Sequence, residues 1–364
     1  MPAPFIPALL DWYDRRAADL PWRSTKPDAY RIWLSEIMLQ QTRVDTVIPY
    51  YERFLTHYPD VQALAAASLD DVLKRWEGLG YYSRARNLHQ TARIVAEEND
   101  GKFPKDVVGL LALPGIGRYT AGAIASIAYG VRAPVLDGNV MRVFARLTDL
   151  PDDVTQSATQ KKLWSLADEW LPEEHSDGRY GDYNQSLMEL GRLVCTPKNP
   201  NCNGCPIREF CKAYVQGTQA ERPVKKKKAP TPHYDVSAGL IRDGENRLLI
   251  GQRPLDGLLG GLWEFPGGKQ ENGETLPECL QRELREELAI EVEVGDLFVA
   301  VKHAFTHFKI TLHAFECVYV SGPPQKIGVR DYAWVDEDDL DKYSFGKADR
   351  QVIAALKKRR GMLL

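Results

Sequence analysis

Four cysteines close together in the chain are the feature that most limits how this protein can fold. Cys195, Cys202, Cys205 and Cys211 follow the spacing C-x6-C-x2-C-x5-C, and prolines stand between them. Four thiols in one short, stiffened loop predict a metal site, because clustered cysteines in a reducing compartment more often bind metal than form disulfides. The number of ligands alone would indicate zinc.

Length and composition indicate a multidomain protein of a reducing compartment. The chain has 364 residues, for which two domains are the usual expectation, and a hydrophobic fraction of 44% is enough for ordinary globular cores. The net charge of −3 and the pI of about 6.2 give no global sign of a nucleic-acid binder, so any such surface must be a local patch. The N-terminus lacks the pattern of a secretion signal, and no apolar run approaches membrane-spanning length. We therefore expect a cytoplasmic protein that does not contact membranes.

The pattern of apolar residues changes once along the chain. Residues 1–216 show helical periodicity with short loops, which predicts an all-α domain that includes the cysteine loop. Residues 217–232 are rich in lysine and proline and lack this periodicity, as is typical of a solvated tether. Residues 233–364 show strand-like runs and turn signals, which predict an α+β domain. The predicted helices of the first domain are 5–18, 30–42, 44–57, 68–76, 83–98, 119–129, 163–170 and 183–194.

A glycine-containing turn before a helix of small residues indicates ligand binding in the first domain. Gly115 and Gly117 lie in Leu-Pro-Gly-Ile-Gly, where glycine allows positive φ and close backbone approach. The amides that open the next helix suit an anion such as a DNA phosphate. Further along, Asp137 follows apolar residues, where a carboxylate would be partly desolvated, as catalytic acids are. Alone, such a turn would be a corner between helices, and such an aspartate a helix N-cap.

Two further stretches of the first domain have both a structural and a functional interpretation. Glu36 lies in an apolar helical run that ends in Gln41 and Thr42, whose side chains suit base edges; helical glutamates are otherwise mostly on solvated faces. The loop at 78–82 contains Leu79 and Tyr81 and separates two predicted helices. It is either a tight turn packed by tyrosines or a wedge that enters a base stack while a nucleotide is extruded.

An acidic helix predicted in the second domain carries a longer pattern. Residues 268–290 match G-x5-E-x7-R-E-U-x-E-E-x-G-U, where U is apolar, except that Ala289 replaces the glycine. This pattern resembles the Nudix box. Glu283, Glu286 and Glu287 cluster on the helix and would suit Mg²⁺ bound against a diphosphate. The alternative is a solvated acidic face paired with arginines.

Together these segments resemble one family of DNA repair proteins. The glutamate in SEIMLQQT, the glycine hairpin, the aspartate in LDGNV, the cysteine spacing and a Phe-Thr-His loop resemble the MutY family of adenine DNA glycosylases over nearly the whole chain. The resemblance implies an all-α helix-hairpin-helix DNA glycosylase domain with a [4Fe–4S] loop, followed by an α+β Nudix-like domain. It also implies that the cysteine loop binds a [4Fe–4S] cluster and not zinc. Members of this family remove adenine mispaired with 8-oxoguanine.

The resemblance assigns roles to single residues. Glu36 becomes the general acid that protonates adenine, with a pKa raised by an apolar pocket. Asp137 becomes the carboxylate that stabilises an oxocarbenium-like sugar, while Asn139 orients this centre and Tyr119 supports the sugar. Arg23 and Gln185 are expected to line the adenine pocket, and Gln41, Thr42, Leu79, Gly80, Tyr81, Gly115 and Gly117 to contact DNA.

Tyr119 and the Phe-Thr-His loop refine the expected substrate and products. The related endonuclease III enzymes have a lysine in place of Tyr119, which forms a Schiff base and cleaves the strand, so tyrosine implies a monofunctional glycosylase. Phe305, Thr306 and His307 resemble the Phe-Ser-His loop with which the family recognises 8-oxoguanine; threonine keeps the hydroxyl and adds a methyl group. The resemblance further implies a monomer that binds duplex DNA with A:8-oxoguanine or A:G mismatches. It also implies a bacterial-type, nucleoid-associated location and a monovalent cation at the hairpin.

Three other functions are compatible with parts of the chain. An endonuclease III-type lyase acting on oxidised pyrimidines is disfavoured by Tyr119 and by the second domain. A nucleotide diphosphatase in residues 234–364, with 8-oxo-dGTP and Mg²⁺ as its expected substrate and cofactor, is supported by the near-complete box. A sensor of DNA damage without catalysis is disfavoured because both Glu36 and Asp137 are present.

Overall fold

The computed structural model describes residues 3–24, 26–173, 178–226 and 230–363, which form two compact units. Unit 1 comprises Met1–Ala66 and Asn87–Lys228, and unit 2 comprises Ala67–Arg86 and Ala229–Leu364. At one place the units do not follow the order of the chain. The segment Ala67–Arg86 lies in the predicted helical domain, yet it packs with the C-terminal unit.

Unit 1 is built from helices, as the sequence predicts. No helix in the described ranges has the length and apolarity that crossing a bilayer requires. In chain order the helices up to the end of the cysteine loop are α1 (Ile6–Arg16), α2 (Ala29–Leu39), α3 (Val44–His57), α4 (Val61–Ala66), α5 (Leu69–Trp76), α6 (Ser83–Glu98), α7 (Val107–Leu111), α8 (Arg118–Tyr129), α9 (Gly138–Leu147), α10 (Ser157–Glu169), α11 (Tyr180–Leu193) and α12 (Lys212–Val215), of which α5 and the first residues of α6 belong to unit 2.

Side-chain caps and one backbone reversal set several helix boundaries. Asp28 and Ser68 cap α2 and α5 by accepting hydrogen bonds from backbone N–H groups of the first turn. The predicted continuation of α2 to residue 42 is wrong. The helix ends at Leu39, because Gln41 has a φ of 57°, which a right-handed helix cannot include. The predicted bounds of α3 and α6 are confirmed, whereas α4 and α7 are too short to show a period in the sequence.

A shared core fixes the helices that carry the predicted site in unit 1. Ala123 of α8, Val143 and Phe144 of α9, and Leu187 and Leu190 of α11 are buried in one hydrophobic cluster. Burying a Leu, Val or Phe side chain contributes about 1.5–3 kcal/mol each. This packing holds the start of α8, the start of α9 and one face of α11 in fixed positions.

Unit 2 contains a mixed sheet, in agreement with the predicted α+β class. The elements are β1 (His233–Arg242), β2 (Leu248–Gln252), β3 (Trp263–Glu264), α13 (Leu276–Leu288), β4 (Glu291–Ala304), β5 (Lys309–Ser321), β6 (Asp331–Val335) and α14 (Lys347–Leu363), with a short 3-10 helix at Glu337–Lys342. The strand order is β3-β2-β1-β5-β4, with β6 paired to β2; β1 and β5 run parallel and the other pairs antiparallel. The runs 236–241 and 248–253 predict a hairpin across Asp243-Gly244, which is confirmed by the pairing of Arg242 with Leu248.

One helix covers each face of the sheet. Leu280 and Leu284 of α13 belong to a buried cluster with Ile241 and Phe315, while Val352 of α14 belongs to a separate cluster on the other side. A capping box starts α13: Thr275 accepts from the backbone of Glu278, and the Glu278 side chain accepts from the backbone of Thr275. The box helix is therefore anchored by its cap and by its apolar face.

Ala289 marks the one departure from the Nudix pattern and has an unusual backbone conformation. It caps the C-terminus of α13 with φ 56° and ψ 34°, in the left-handed region. For a residue with a Cβ this conformation costs roughly 1–2 kcal/mol, and glycine avoids the cost.

We predict that Ala289→Gly raises the free energy of unfolding by about 1 kcal/mol, because it removes this strain. The midpoint of urea unfolding measures the effect. Gly130→Ala is the matched control, since Gly130 caps α8 at φ 64° with no atom within 4 Å of an added Cβ. It should lose a similar amount, and a stability gain in both variants would contradict the strain argument.

Candidate active site

A buried carboxyl group and a tyrosine hydroxyl meet between α2 and α8. Tyr119 Oη donates a hydrogen bond of 2.6 Å to Glu36 Oε2, and Glu36 is only 6% exposed. Burial raises the pKa of Glu36 to about 7; the bond from Tyr119 opposes this rise and the charge of Asp137 adds to it. The alternative of a solvated surface glutamate is therefore wrong. A carboxyl group with this pKa can donate a proton near neutral pH.

Tyr119 is held as a neutral donor on the other side of this contact. Burial and the neighbouring Glu36 carboxylate raise the pKa of the Tyr119 hydroxyl well above its ordinary value. The same hydroxyl lies 3.1 Å from Met188 Sδ on α11. Met188 was not predicted from the sequence, since a methionine on a helix is usually a core residue.

Asp137 is the N-cap of α9, and both oxygens of its carboxylate accept hydrogen bonds. Oδ1 accepts from the backbone N–H groups of Asn139 (2.9 Å) and Val140 (2.7 Å), and Oδ2 accepts from Asn139 Nδ2 (2.8 Å). Burial raises the pKa of Asp137, and these hydrogen bonds counteract the rise. The capping and catalytic interpretations are thus compatible, because the cap fixes the orientation of the carboxylate.

Arg142 connects this carboxylate to the neighbouring helix and the cysteine loop. Its Nη2 donates to Asn139 Oδ1 (2.9 Å) and to the carbonyl of Gly191 (2.6 Å), and its Nε donates to the carbonyl of Cys195 (2.6 Å). A Cβ on Gly191 would lie 2.6 Å from the Cβ of Asn139, so only glycine fits there. Neither Arg142 nor Gly191 was assigned a role from the sequence, because their partners lie far away in the chain.

Only one of the two hairpin glycines has a positive φ. Gly115 has φ 75°, and a Cβ there would lie 2.7 Å from the Cβ of Asn87. Gly117 has φ −88° and does not use the positive φ that glycine allows. Gly117 instead caps α8 without a side chain and has open space around it. This leaves the first amides of α8 open to an anion.

The polar run after α2 is shaped by the reversal at Gln41. Gln41 is exposed, while Thr42 Oγ1 lies 3.3 Å from the carbonyl of Gln40. A left-handed backbone conformation is uncommon in a residue with a long side chain, and residues with this conformation are often found at functional sites. The reversal turns this run away from the helix axis.

The residues predicted for the adenine pocket are only partly free to bind a ligand. Arg23 forms an ion pair of 3.1 Å with Glu189 on α11 and donates to the carbonyl of Ala18 (2.8 Å). Glu189 is 2% exposed and was missed in the sequence, where it resembles an ordinary helical glutamate. Gln185 is half-buried on the same helix. Arg23 is therefore held in place by a buried partner.

The two candidate wedge residues in the loop at 78–82, which belongs to unit 2, differ in their exposure. Leu79 is 6% exposed, whereas Tyr81 is 41% exposed. Gly80 and Tyr81 have φ values of 72° and 48°, and Arg84 donates to the carbonyls of Leu79 and Gly80 (both 3.1 Å). Of the two candidates, Tyr81 is the one available to a ligand.

The Phe-Thr-His loop connects β4 and β5 and is ordered by aromatic stacking. Phe305 N donates to the carbonyl of Phe308 (2.8 Å), and the two rings lie 4.6 Å apart. His303 packs edge-on against Phe305 at 4.6 Å. Thr306 and His307 are exposed at the tip, as expected of residues that read a ligand.

The four cysteines surround one cavity in unit 1. Arg146 and Arg208 line it as well, and Arg146 Nη1 lies 3.2 Å from Cys195 Sγ. Four thiols that line one cavity provide the set of ligands that a [4Fe–4S] cluster requires.

The box glutamates of unit 2 form ion pairs with an arginine on the same helix. Arg282 lies 3.0 Å from Glu283, 3.1 Å from Glu286 and 2.8 Å from Glu274. Burial raises the pKa of Glu287 to about 7. A metal ion bound by Glu283, Glu286 and Glu287 would compete with Arg282 for two of these carboxylates, and this metal site stays a prediction.

Three family models match separate parts of the chain. Residues 34–169 match the "HhH-GPD superfamily base excision DNA repair protein", residues 195–211 the "Iron-sulfur binding domain of endonuclease III", and residues 237–355 the "NUDIX domain". The second match supports an iron–sulfur cluster at the cysteines and argues against zinc.

Similar proteins cover most of the chain. It is 38% identical to the adenine DNA glycosylase of Mus musculus over 372 residues, which span 86% of this chain and 70% of that protein. It is 35% identical to the adenine DNA glycosylase of Homo sapiens over 403 residues, which span 96% of this chain and 73% of that protein. A solved thermostable thymine-DNA glycosylase is 29% identical with a TM-score of 0.52, and the match covers 58% of this chain and 95% of that chain.

The purified protein should contain iron and sulfide, show a broad visible absorption band and lack zinc. Cys202→Ala should lose the iron and destabilise unit 1, since metal binding at such loops stabilises the folded state. Elemental analysis and visible absorption measure both effects. Cys317→Ala is the control, because Cys317 is buried in unit 2 and should keep the iron content of the wild type. Stoichiometric zinc in the wild type would contradict the assignment.

Proposed function

Because the chain belongs to the adenine DNA glycosylase family, we propose that it hydrolyses the bond between deoxyribose and an adenine mispaired with 8-oxoguanine or guanine. Adenine leaves as a neutral base after receiving a proton, water adds to C1′, and an abasic sugar remains in an intact strand. The observation that carries this proposal is the buried Glu36 carboxyl group, which has a pKa of about 7 and is held by Tyr119.

Glu36 serves as the general acid. Adenine is a poor leaving group unless a ring nitrogen is protonated, and N7 is the nitrogen that a carboxylic acid can reach once the base is flipped out of the duplex. The apolar surroundings of Glu36 keep it protonated near neutral pH. The hydrogen bond from Tyr119 orients the carboxyl group and leaves its second oxygen for the base.

Asp137 stabilises the positive charge that develops on the sugar, in the manner of paired carboxyl groups in glycoside hydrolysis. Its hydrogen bonds from Asn139 and Val140 favour the ionised form. Asn139 in turn is held by Arg142. The carboxylate is therefore preorganised, so that little reorganisation is needed as the bond breaks.

The enzyme forms no Schiff base with the sugar and therefore does not cleave the strand. Tyr119 takes the place where a lyase of the endonuclease III type uses a lysine amine, and a phenol cannot form an imine with C1′. Tyr119 instead supports the sugar and holds Glu36.

Several elements support binding of duplex DNA. The open amides after Gly117 suit a backbone phosphate, and a monovalent cation at the hairpin stays a prediction that belongs to the same surface. Gln41 and Thr42 suit base edges. Tyr81 enters the stack as the target adenine is extruded, and Arg23, fixed by Glu189, lines the adenine pocket together with Gln185.

Unit 2 recognises the lesion. Phe305 supports a loop with Thr306 and His307 exposed at its tip. 8-Oxoguanine differs from guanine by an oxo group at C8 and a proton at N7, so a well-placed pair of hydrogen bonds discriminates the two by ~1–3 kcal/mol.

We propose that the enzyme is a bacterial-type, nucleoid-associated protein, and we expect it to act as a monomer.

Product analysis on defined duplexes tests the function. Under single-turnover conditions the protein should release adenine from A:8-oxoguanine faster than from A:G. The strand should stay intact until alkali is added, and borohydride should trap no adduct. Strand cleavage without alkali would contradict the monofunctional assignment, and absence of adenine release would contradict the function. His307→Ala should reduce the preference for A:8-oxoguanine and leave A:G unchanged, whereas equal losses would show that the loop supplies affinity alone.

Glu36→Gln should slow adenine release by ~10²–10⁴-fold at unchanged DNA affinity, because it removes the proton donor and keeps the shape. In the wild type the single-turnover rate should fall as the pH rises through about 7, where Glu36 loses its proton. Rates measured across this range in both proteins check the assignment. A wild-type rate that does not fall above neutrality would contradict it.

Stability provides the control for Glu36→Gln. Since the folded pKa lies above the unfolded one, ionisation of Glu36 lowers the stability of the wild type as the pH rises from the unfolded pKa through about 7. The glutamine variant lacks this loss and should be at least as stable as the wild type above neutrality. Thermal melting at both ends of the range would thus exclude misfolding as the cause of inactivity.

A further inference from the structure

A short segment of the N-terminal half of the chain is part of unit 2. Ala67–Arg86, which consists of α5, the loop at 78–82 and the start of α6, groups with residues Ala229–Leu364. Nothing in its sequence indicates this placement. The loop that presents Tyr81 is therefore supported by residues that follow much later in the chain.

Glu77 is the strongest link between α5 and the rest of unit 2. It directly follows α5, and its Oε1 accepts from the backbone N–H of Phe345 (3.1 Å) and from Arg350 Nε. Its Oε2 accepts from Lys74 Nζ (3.0 Å), which also donates to the carbonyl of Tyr343 (3.0 Å). One carboxylate thus joins the end of α5 to the strand-to-helix connection before α14 and to α14 itself. We call Glu77, Arg350 and the N–H of Phe345 the Glu77 anchor.

Further contacts hold the same segment along its length. The buried Gln252 donates to Asp70 (2.9 Å) at the start of α5, and Arg86 donates to the carbonyl of Gly260 (2.8 Å) beyond the loop. Leu73 packs so closely that its Cδ1 would lie 3.0 Å from a Cβ on Gly261. The segment is therefore fixed before, within and after the loop.

The loop itself transmits this fixation to Tyr81. Arg84 ties the carbonyls of Leu79 and Gly80 together, and its guanidinium lies 5.4 Å from the ring of Tyr81. At the tip, the Tyr81 hydroxyl is 2.8 Å from Thr306 Oγ1. Because the Glu77 anchor holds the base of the loop and Thr306 contacts its tip, movement of the loop is restrained at both ends.

We infer that Glu77 is a positioning residue, which holds the loop at 78–82 rigid through Arg350 and Phe345 so that Tyr81 can enter the base stack. The inference rests on the proposed function, because it gives the loop its role in extruding adenine. Separating stacked bases costs a few kcal/mol per step. A wedge can impose that cost on the duplex only if its own support does not move first.

Single-turnover excision on two substrates tests this role in the full-length protein. Glu77→Gln and Arg350→Gln should each slow adenine release from an A:8-oxoguanine duplex by about tenfold, within the range found for residues that act through others. Both should keep the wild-type rate on a duplex whose target adenine lies opposite an abasic site, where little unstacking is needed. The double variant should be no slower than the slower single variant, because both changes break one link. Arg93→Gln and Glu97→Gln, which break an exposed ion pair in the unit 1 part of α6, are the controls and should keep wild-type rates on both duplexes.

The outcomes separate the inference from the proposed function. Wild-type rates in Glu77→Gln on both duplexes, or equal losses on both, would overturn the positioning role, the latter by showing a general structural effect. The fluorescence of 2-aminopurine beside the target adenine reports unstacking without excision and should rise more slowly in Glu77→Gln than in the wild type. A wild type that unstacks the duplex but releases no adenine would overturn the proposed function, while slower unstacking in the variant would still support the positioning role.

Discussion

The hydrogen bond between Tyr119 and Glu36 is the interaction on which the proposed chemistry depends. It holds a carboxyl group whose burial raises its pKa and lowers the stability of the fold whenever that group ionises. The fold tolerates this because α2 and α8 are held in place by their buried apolar residues. The surroundings that keep Glu36 protonated near neutral pH thus destabilise the folded protein once Glu36 is charged.

Arg142 also connects the predicted active site to the cysteine loop. One guanidinium group holds Asn139, the carbonyl of Gly191 and the carbonyl of Cys195, so the carboxylate of Asp137 and the first cysteine share a support. Four thiolates around an iron–sulfur cluster would fix Cys195 in turn. A cluster bound there would therefore support the position of Asn139 through Arg142.

Patterns that are local in the chain could be predicted, and contacts between distant residues could not. The bounds of α3 and α6, the hairpin of β1 and β2, and the presence of a metal site at the cysteines follow from periodicity, turn residues and spacing, whereas the choice of an iron–sulfur cluster came from the family resemblance. The end of α2 was predicted too late because Gln41 adopts a conformation that its residue type rarely shows. Glu189 beside Arg23, Arg142 beside Asn139 and the placement of α5 in unit 2 depend on tertiary packing, for which one sequence carries no signal.

The near-complete Nudix box has a structural explanation that does not require hydrolysis of a nucleotide. A Cβ on Gly268 would lie 2.2 Å from the carboxyl carbon of Glu283, so this glycine is fixed by packing. Glu274 is latched to Arg282 by two hydrogen bonds, of 3.0 Å and 2.8 Å, which hold the loop before α13 against the helix. Arg282 also pairs with Glu283 and Glu286 and so offsets their mutual repulsion. Each of these residues therefore has a structural role that does not depend on a bound diphosphate.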